Sequence, residues 1–140
     1  MPHQHFGNAD GAITIDLDAI IANWRYIDGL SASTTKTAAV VKANGYGLGS
    51  CMAATALARA GCELFFVASL AEAIELRTAF QQTGHCELPI MVLHGLQRGQ
   101  EADFTAYQLE PVLNDLDQIS RWRLHAEKTG TTLPALLHFD

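Results

Sequence analysis

Five short apolar runs recur along the chain: AAVVK (38–42), ELFFVAS (63–69), LPIMVLH (88–94), LEPVLN (109–114) and PALLHF (134–139). A strand with one wet face alternates apolar and polar residues. A continuous apolar run is the pattern of a strand buried on both faces, and such strands belong to parallel sheets covered by helices. The intervening segments 50–61, 70–82, 98–107 and 115–128 carry helical periodicity, with Ile119, Trp122 and Ala126 inward on the last. The class is therefore α/β with parallel strands. Pro111 weakens the fourth strand, because proline has no N–H for the ladder. Upstream, AITID (12–16) reads as a short strand. Asp16 then caps a helix whose stripe is Leu17, Ile20, Ile21, Trp24 and Ile27, with Gly29 as its stop and SASTTK (31–36) as a polar loop.

Two architectures satisfy this order: a doubly wound open sheet or part of a β/α barrel. The runs finish at Lys42, Ser69, His94, Asn114 and Asp140, a polar group each time. In barrel enzymes the C-terminal strand ends line the active site, and the recurrence suits that fold. Five strands do not close an eight-stranded barrel, which takes about 250 residues. The expectation is a partial (β/α)8 barrel of four β/α units and a fifth strand over residues 12–140, preceded by a flexible tail over residues 1–11.

Composition narrows the functional classes. Hydrophobic residues at 49% and charged residues at 17% suit a single globular domain. A net charge of −6 with no Lys/Arg cluster argues against nucleic acid. Cys51, Cys62 and Cys86 form no CxxC pair, which favours reduced thiols and a cytoplasmic setting. The start, MPHQHFGNADG, lacks the basic and apolar regions of a signal peptide, and no run reaches the ~18 apolar residues of a membrane span. His3 and His5 are at most a weak metal pair in the tail, and no metal is expected.

The stretch AVVKANGYGLGS (39–50) carries the chemistry. Lys42 ends an apolar run with no Asp or Glu within twelve residues on either side. The loop is no Walker motif, because its lysine precedes the glycines. It is an incomplete dinucleotide fingerprint: Ser50 takes the third glycine's place, and the next strand ends in Ala68-Ser69 without a ribose-binding acid. A third reading starts from the amine. Removal from water without a carboxylate favours the neutral form, which attacks aldehydes. Pyridoxal phosphate is the leading aldehyde cofactor, Tyr46 offers its phosphate a phenol, and the glycines let backbone approach. On spacing alone, a lysine whose stem runs along the strand end and whose amine reaches solvent remains open.

The same stretch resembles the cofactor-lysine motif of alanine racemases, whose Lys-x-x-x-Tyr-Gly-x-Gly core is here Lys42, Tyr46, Gly47 and Gly49. ITIDLDAIIANWRYI is similar to that family's opening strand and first helix. RAGCELFFVASLAEAIELR and LPIMVLHG are similar to its second and third barrel strands, and LHFD to the start of its Asp-Thr-Gly-Met segment. The resemblance implies an isomerase that interconverts L- and D-alanine in the supply of peptidoglycan precursors. Lys42 would hold pyridoxal 5'-phosphate as a Schiff base and act as one of two bases on opposite faces of the α-carbon. Tyr46 would bind the phosphate, while Val40 and Leu93 would wall the cofactor. Glu72 is expected to be a helix-surface carboxylate. Leu48 replaces a common histidine, and His138 stands where some members carry a carbamylated lysine. The family's second base is a tyrosine of a C-terminal β domain, supplied across a homodimer interface. The resemblance thus makes these residues an N-terminal fragment, inactive alone. A related pyridoxal enzyme acting on another amino acid, and a non-catalytic module binding pyridoxal phosphate or a nucleotide, are the alternatives.

Overall fold

The computed structural model describes residue 11 and residues 13–139. Residues 1–10 of the expected tail, His3 and His5 among them, and the strand-end Asp140 lie outside the described residues. Of the expected strand over 12–16, residue 12 lies outside the described residues and residues 13–16 are irregular, with Ile13 89% exposed. A strand exists through its ladder, and no described strand runs beside this segment. Asp16 does cap the first helix, α1 (Leu17–Gly29), by accepting from the Ala19 N–H at 3.0 Å. Its stripe is only half-buried, and Ile27 at its end is exposed.

The chain then alternates through β1 (Ala39–Val40), a short turn α2 (Lys42–Tyr46), α3 (Ser50–Arg59), β2 (Phe65–Val67) and α4 (Leu70–Thr83). It continues through β3 (Ile90–Val92), α5 (Glu101–Ala106), β4 (Glu110–Leu113), α6 (Leu116–Thr129) and β5 (Leu136–Leu137). The strands are all parallel, in the order β1-β2-β3-β4-β5. That order decides between the two architectures. A doubly wound sheet reverses direction at a switch point, whereas strands added always on one side, with right-handed crossovers, put every helix on one face. The fold is an arc of a β/α barrel. Pro111 sits fully buried inside β4 despite the sequence warning. In a parallel strand each residue's N–H faces only one neighbour, so one proline removes one ladder bond.

The two faces of the sheet differ. Ala39, Val41, Phe65, Val67, Ile90, Val92 and Leu113 join Leu57, Leu76, Phe80, Phe104 and Trp122 in one buried cluster on the helix side. Phe65 and Phe80 meet edge to face at 5.0 Å. The alternate residues Val40, Phe66 and Met91 lie in register on the opposite, inner face. Carried two residues further, that register places Lys42, Ala68 and Leu93 in the next inward layer, with Val112 and Leu136.

The N-terminal edge of the sheet is held by a buried cation. Arg77, 2% exposed on α4, donates to the carbonyls of Cys86, Leu88, Tyr107 and Gln108, two on each of two loops. Beside it is a cavity of about 270 Å³, lined in part by Glu110, Phe104, Trp122 and Leu133.

Candidate active site

Lys42 stands two residues beyond β1, at the C-terminal edge, opposite the Arg77 cavity. The side chain is partly buried, and none of the ion pairs among the described residues involves it. Among the described residues its amine therefore has no carboxylate counterpart within salt-bridge distance, in keeping with the bare flanking sequence.

Beyond Lys42 the sequence reads only as a glycine loop, but the backbone there is specific. Ala43, Asn44, Gly45, Tyr46 and Gly47 have φ of 52°, 51°, 64°, 55° and 86°. They form one turn of left-handed helix, closed by Gly45 N–H to Val41 O at 2.9 Å and Gly47 N–H to Ala43 O at 3.0 Å. For an L-residue this conformation costs about 1–2 kcal/mol each, and three of the five are not glycine. Strain of this kind persists only where the surroundings over-determine it. Three contacts do so. Asn44 Oδ1 accepts from the Ser50 N–H at 3.0 Å and thereby caps α3, whose own N-cap is Gly49. Gly45 is pressed against Ser50, where an added Cβ would lie 3.1 Å from its nitrogen. The third contact is Glu72.

Glu72 is not the helix-surface carboxylate that the sequence suggested. Its Oε1 accepts from the Ala43 N–H at 2.9 Å, and its Oε2 from the Ala68 N–H at 2.8 Å. The carboxylate ties the turn after β1 to the end of β2. The sequence carried only part of the signal: Ser69 and Glu72 form the S-x-x-E signature of a helix start, which marks the acid as a backbone acceptor but not its partner beyond the helix. Ser69 caps α4 by accepting from the Glu72 N–H at 3.4 Å.

Of the other sequence-singled residues, Val40 shares the inner face with Lys42 and is 44% exposed, while Leu93 is half-buried. Tyr46 is 63% exposed at the end of the left-handed turn. His138 joins the edge through its ring, Nδ1 lying 3.0 Å from Asn114 Oδ1, and its N–H donates to Leu113 O. Asn114 also donates to Leu93 O at 3.0 Å, so β3, β4 and β5 are stitched where they end. Ser69 serves as a helix cap and His94 is exposed. Among the described residues no group of three His, Cys, Asp or Glu is placed to hold a metal ion. No described helix is long and apolar enough to cross a membrane.

The donor set suits an aldehyde cofactor with a phosphate: a primary amine with no carboxylate partner among the described residues, a phenol four residues along, and apolar Val40 and Leu93 on the neighbouring surface. Residues 15–140 match the family described as alanine racemase, N-terminal domain. The chain belongs to that family. It is 43% identical over 137 residues to the catabolic alanine racemase of Agrobacterium fabrum, covering 98% of this chain and 34% of that protein. Its fold is that of the crystal structure of alanine racemase from Bartonella henselae with covalently bound pyridoxal phosphate. That likeness has a TM-score of 0.78 and 36% identity, over 86% of this chain and 32% of that one. A histidine racemase from Leuconostoc mesenteroides is also similar, with a TM-score of 0.69 and 25% identity over 85% of this chain and 30% of that one. The chain thus spans about a third of the length of the relatives it matches.

Proposed function

We propose that this chain is the cofactor-lysine portion of a pyridoxal-phosphate-dependent racemase that interconverts L- and D-alanine. The observation that carries the reading is Lys42 itself: an amine without a carboxylate partner among the described residues, at the C-terminal edge of a β/α barrel arc. That arc matches a relative whose pyridoxal phosphate is covalently bound. When bound, pyridoxal phosphate accepts the electron pair left on a substrate α-carbon as its proton departs. The chain's own residues then have separable tasks. Lys42 holds the cofactor through its Nζ and, once released by substrate, takes or returns the α-proton on one face. Tyr46 donates its phenol to the phosphate. Val40 and Leu93 present apolar surface that limits water beside the ring.

Inversion needs a second proton donor on the opposite face. The family resemblance supplies it as a tyrosine from the partner of a homodimer, outside these residues. The cytoplasm is the fitting compartment for an enzyme with three thiols. Two measurements test the proposal. Borohydride reduction of the full-length protein loaded with pyridoxal phosphate fixes a pyridoxyl group on Lys42, read by peptide mass spectrometry; an unmodified Lys42 overturns the reading. The purified 140-residue chain racemises alanine at least about 1,000-fold more slowly than the full-length protein, the loss typical when a member of a catalytic set is removed. Comparable rates would show that the second base is not needed from elsewhere.

A second reading keeps the chemistry and changes the amino acid. The likeness to a histidine racemase favours it. Comparing kcat/KM for alanine and histidine on the full-length protein separates the two.

A further inference from the structure

The Glu72 carboxylate is aimed away from its own helix. In a capping box the acid three residues after the cap reaches back to the N–H of the capping residue. Here that residue is Ser69, yet Glu72 passes it by. Oε2 takes the N–H of Ala68, and Oε1 crosses to the neighbouring β/α unit for the N–H of Ala43. Both oxygens are thereby engaged by backbone, and neither pairs with the Lys42 amine.

The Ala43 N–H belongs to the peptide joining Lys42 to the left-handed turn. The chain leaves the extended conformation of β1 at Val41, with φ of −119° and ψ of 23°, and this peptide leads into the left-handed φ of 52° at Ala43. Fixing the plane fixes the backbone torsion on the far side of Lys42, and so the direction in which its Cβ and amine project. Without an acceptor there, the left-handed Ala43 loses the one side-chain contact made to its own peptide, and the remaining contacts hold only the residues after it. The second oxygen, on Ala68, anchors the carboxylate to the end of β2, whose residue lies in the same inward layer as Lys42. The device is a bracket between two strand ends.

We propose that Glu72 is a positioning residue for Lys42: it sets the orientation of the Lys42–Ala43 peptide and hence of the amine toward cofactor and substrate. The proposal rests on the pyridoxal reading above for its functional consequence, but the bracket itself does not. A glutamine at this place has one acceptor oxygen, and its amide N–H₂ faces a backbone donor, so one of the two bonds is lost. Aspartate keeps the charge but is one methylene short of spanning Ala43 and Ala68.

The test uses the full-length protein as wild type, E72Q, E72D and D115A. The last removes a remote cap, in which Asp115 accepts from the Gln118 N–H at 2.8 Å at the start of α6, and serves as a control for lost stability alone. In E72Q, pyridoxal phosphate content stays near one per chain. The cofactor's circular dichroism per bound cofactor falls at least two-fold, because its tether points differently. kcat for alanine falls about 10- to 100-fold with KM changed less than about three-fold, the pattern of misplaced reacting groups. In cofactor-free protein, hydrogen exchange at the Ala43 amide quickens at least about ten-fold, since its acceptor is gone. E72D moves the same way and covers the case in which E72Q does not fold. D115A lowers the melting temperature without moving dichroism per cofactor.

Unchanged dichroism and kcat in both Glu72 variants overturn the proposal. So does a loss of activity that only tracks cofactor content. If Lys42 carries no pyridoxyl group in the wild type, the functional reading falls on its own. The Ala43 exchange rate still decides whether Glu72 holds the turn.

Discussion

Glu110 opens β4 half-buried, beside the Arg77 cavity. Burial pushes its carboxyl above the usual range, and the nearby Arg77 guanidinium offsets this only in part. A carboxyl whose folded pKa is raised binds its proton more tightly in the folded state. Its contribution is therefore favourable below the ordinary carboxylate range and is lost as pH rises through the folded value. Glu110→Gln removes that loss. The variant should match the wild type in urea midpoint near about pH 4 and exceed it near about pH 7. A variant weaker at neutral pH would mean that attraction to Arg77 outweighs burial. At the same scale, the sequence showed Lys42 as a lysine without local acids but not the left-handed state of Ala43 and Tyr46. Propensity assigns such a conformation to glycine and, less often, to asparagine, so Gly45, Gly47 and Asn44 could be read that way but Ala43 and Tyr46 could not. Glu72 escaped for a related reason. A carboxylate on the first turn of a helix is ordinarily solvated, and its reach to another β/α unit depends on strand adjacency that no local pattern encodes.

The elements themselves were legible because parallel strands carry apolar residues on both faces, and all five appeared in the expected places, although only the central three are largely buried. The opening strand over 12–16 failed because its pattern reports apolarity, whereas a strand also needs a neighbour. Arg77 shows another limit. Within LAEAIELRTAFQQ it reads as an ordinary helix cation, yet it is buried against four carbonyls that belong to the loops before β3 and β4. The guanidinium binds those two loops to each other. Arg77→Met keeps the bulk but leaves buried carbonyls without donors, at about 1–3 kcal/mol for each one not rescued by water. The expected loss is about 3–5 kcal/mol by chemical denaturation. Arg77→Lys should lose nearly as much, because an ammonium lacks the planar fork that reaches both loops at once. Because this edge of a barrel serves stability while the opposite edge serves chemistry, a milder substitution that still folds should leave the absorbance of bound pyridoxal phosphate unchanged. Full retention of stability in Arg77→Lys would show that charge alone, without the fork, holds the loops.

On the scale of the whole arc, the decisive fact is that a sheet adding strands in one direction has two ends. Among the described residues β1 pairs only with β2, and β5 only with β4. Each end strand presents a row of backbone donors and acceptors to one side, the arrangement that recruits another chain. Apolar side chains add an incentive at both ends. Val40 on the inner face is 44% exposed, and Leu137 and Phe139 at the β5 end are 53% and 84% exposed. Opposing this, each end strand has only two residues, and short edges are poor templates. The apolar surface should prevail, because burial of such side chains contributes about 25 cal/mol per Å² irrespective of register. The 140-residue chain on its own should therefore self-associate. Sedimentation velocity across a micromolar dilution series should show species heavier than 15.2 kDa that dissociate on dilution. Val40→Lys or Leu137→Lys should shift that equilibrium toward monomer by placing a charge on the buried surface. Thr78→Lys, at an exposed position of α4 away from both ends, should leave it unmoved. A single sedimenting species at the monomer mass with cooperative unfolding would mean that the apolar ends tolerate water as they stand. The arc would then be a self-sufficient unit whose site residues could be studied in this chain alone.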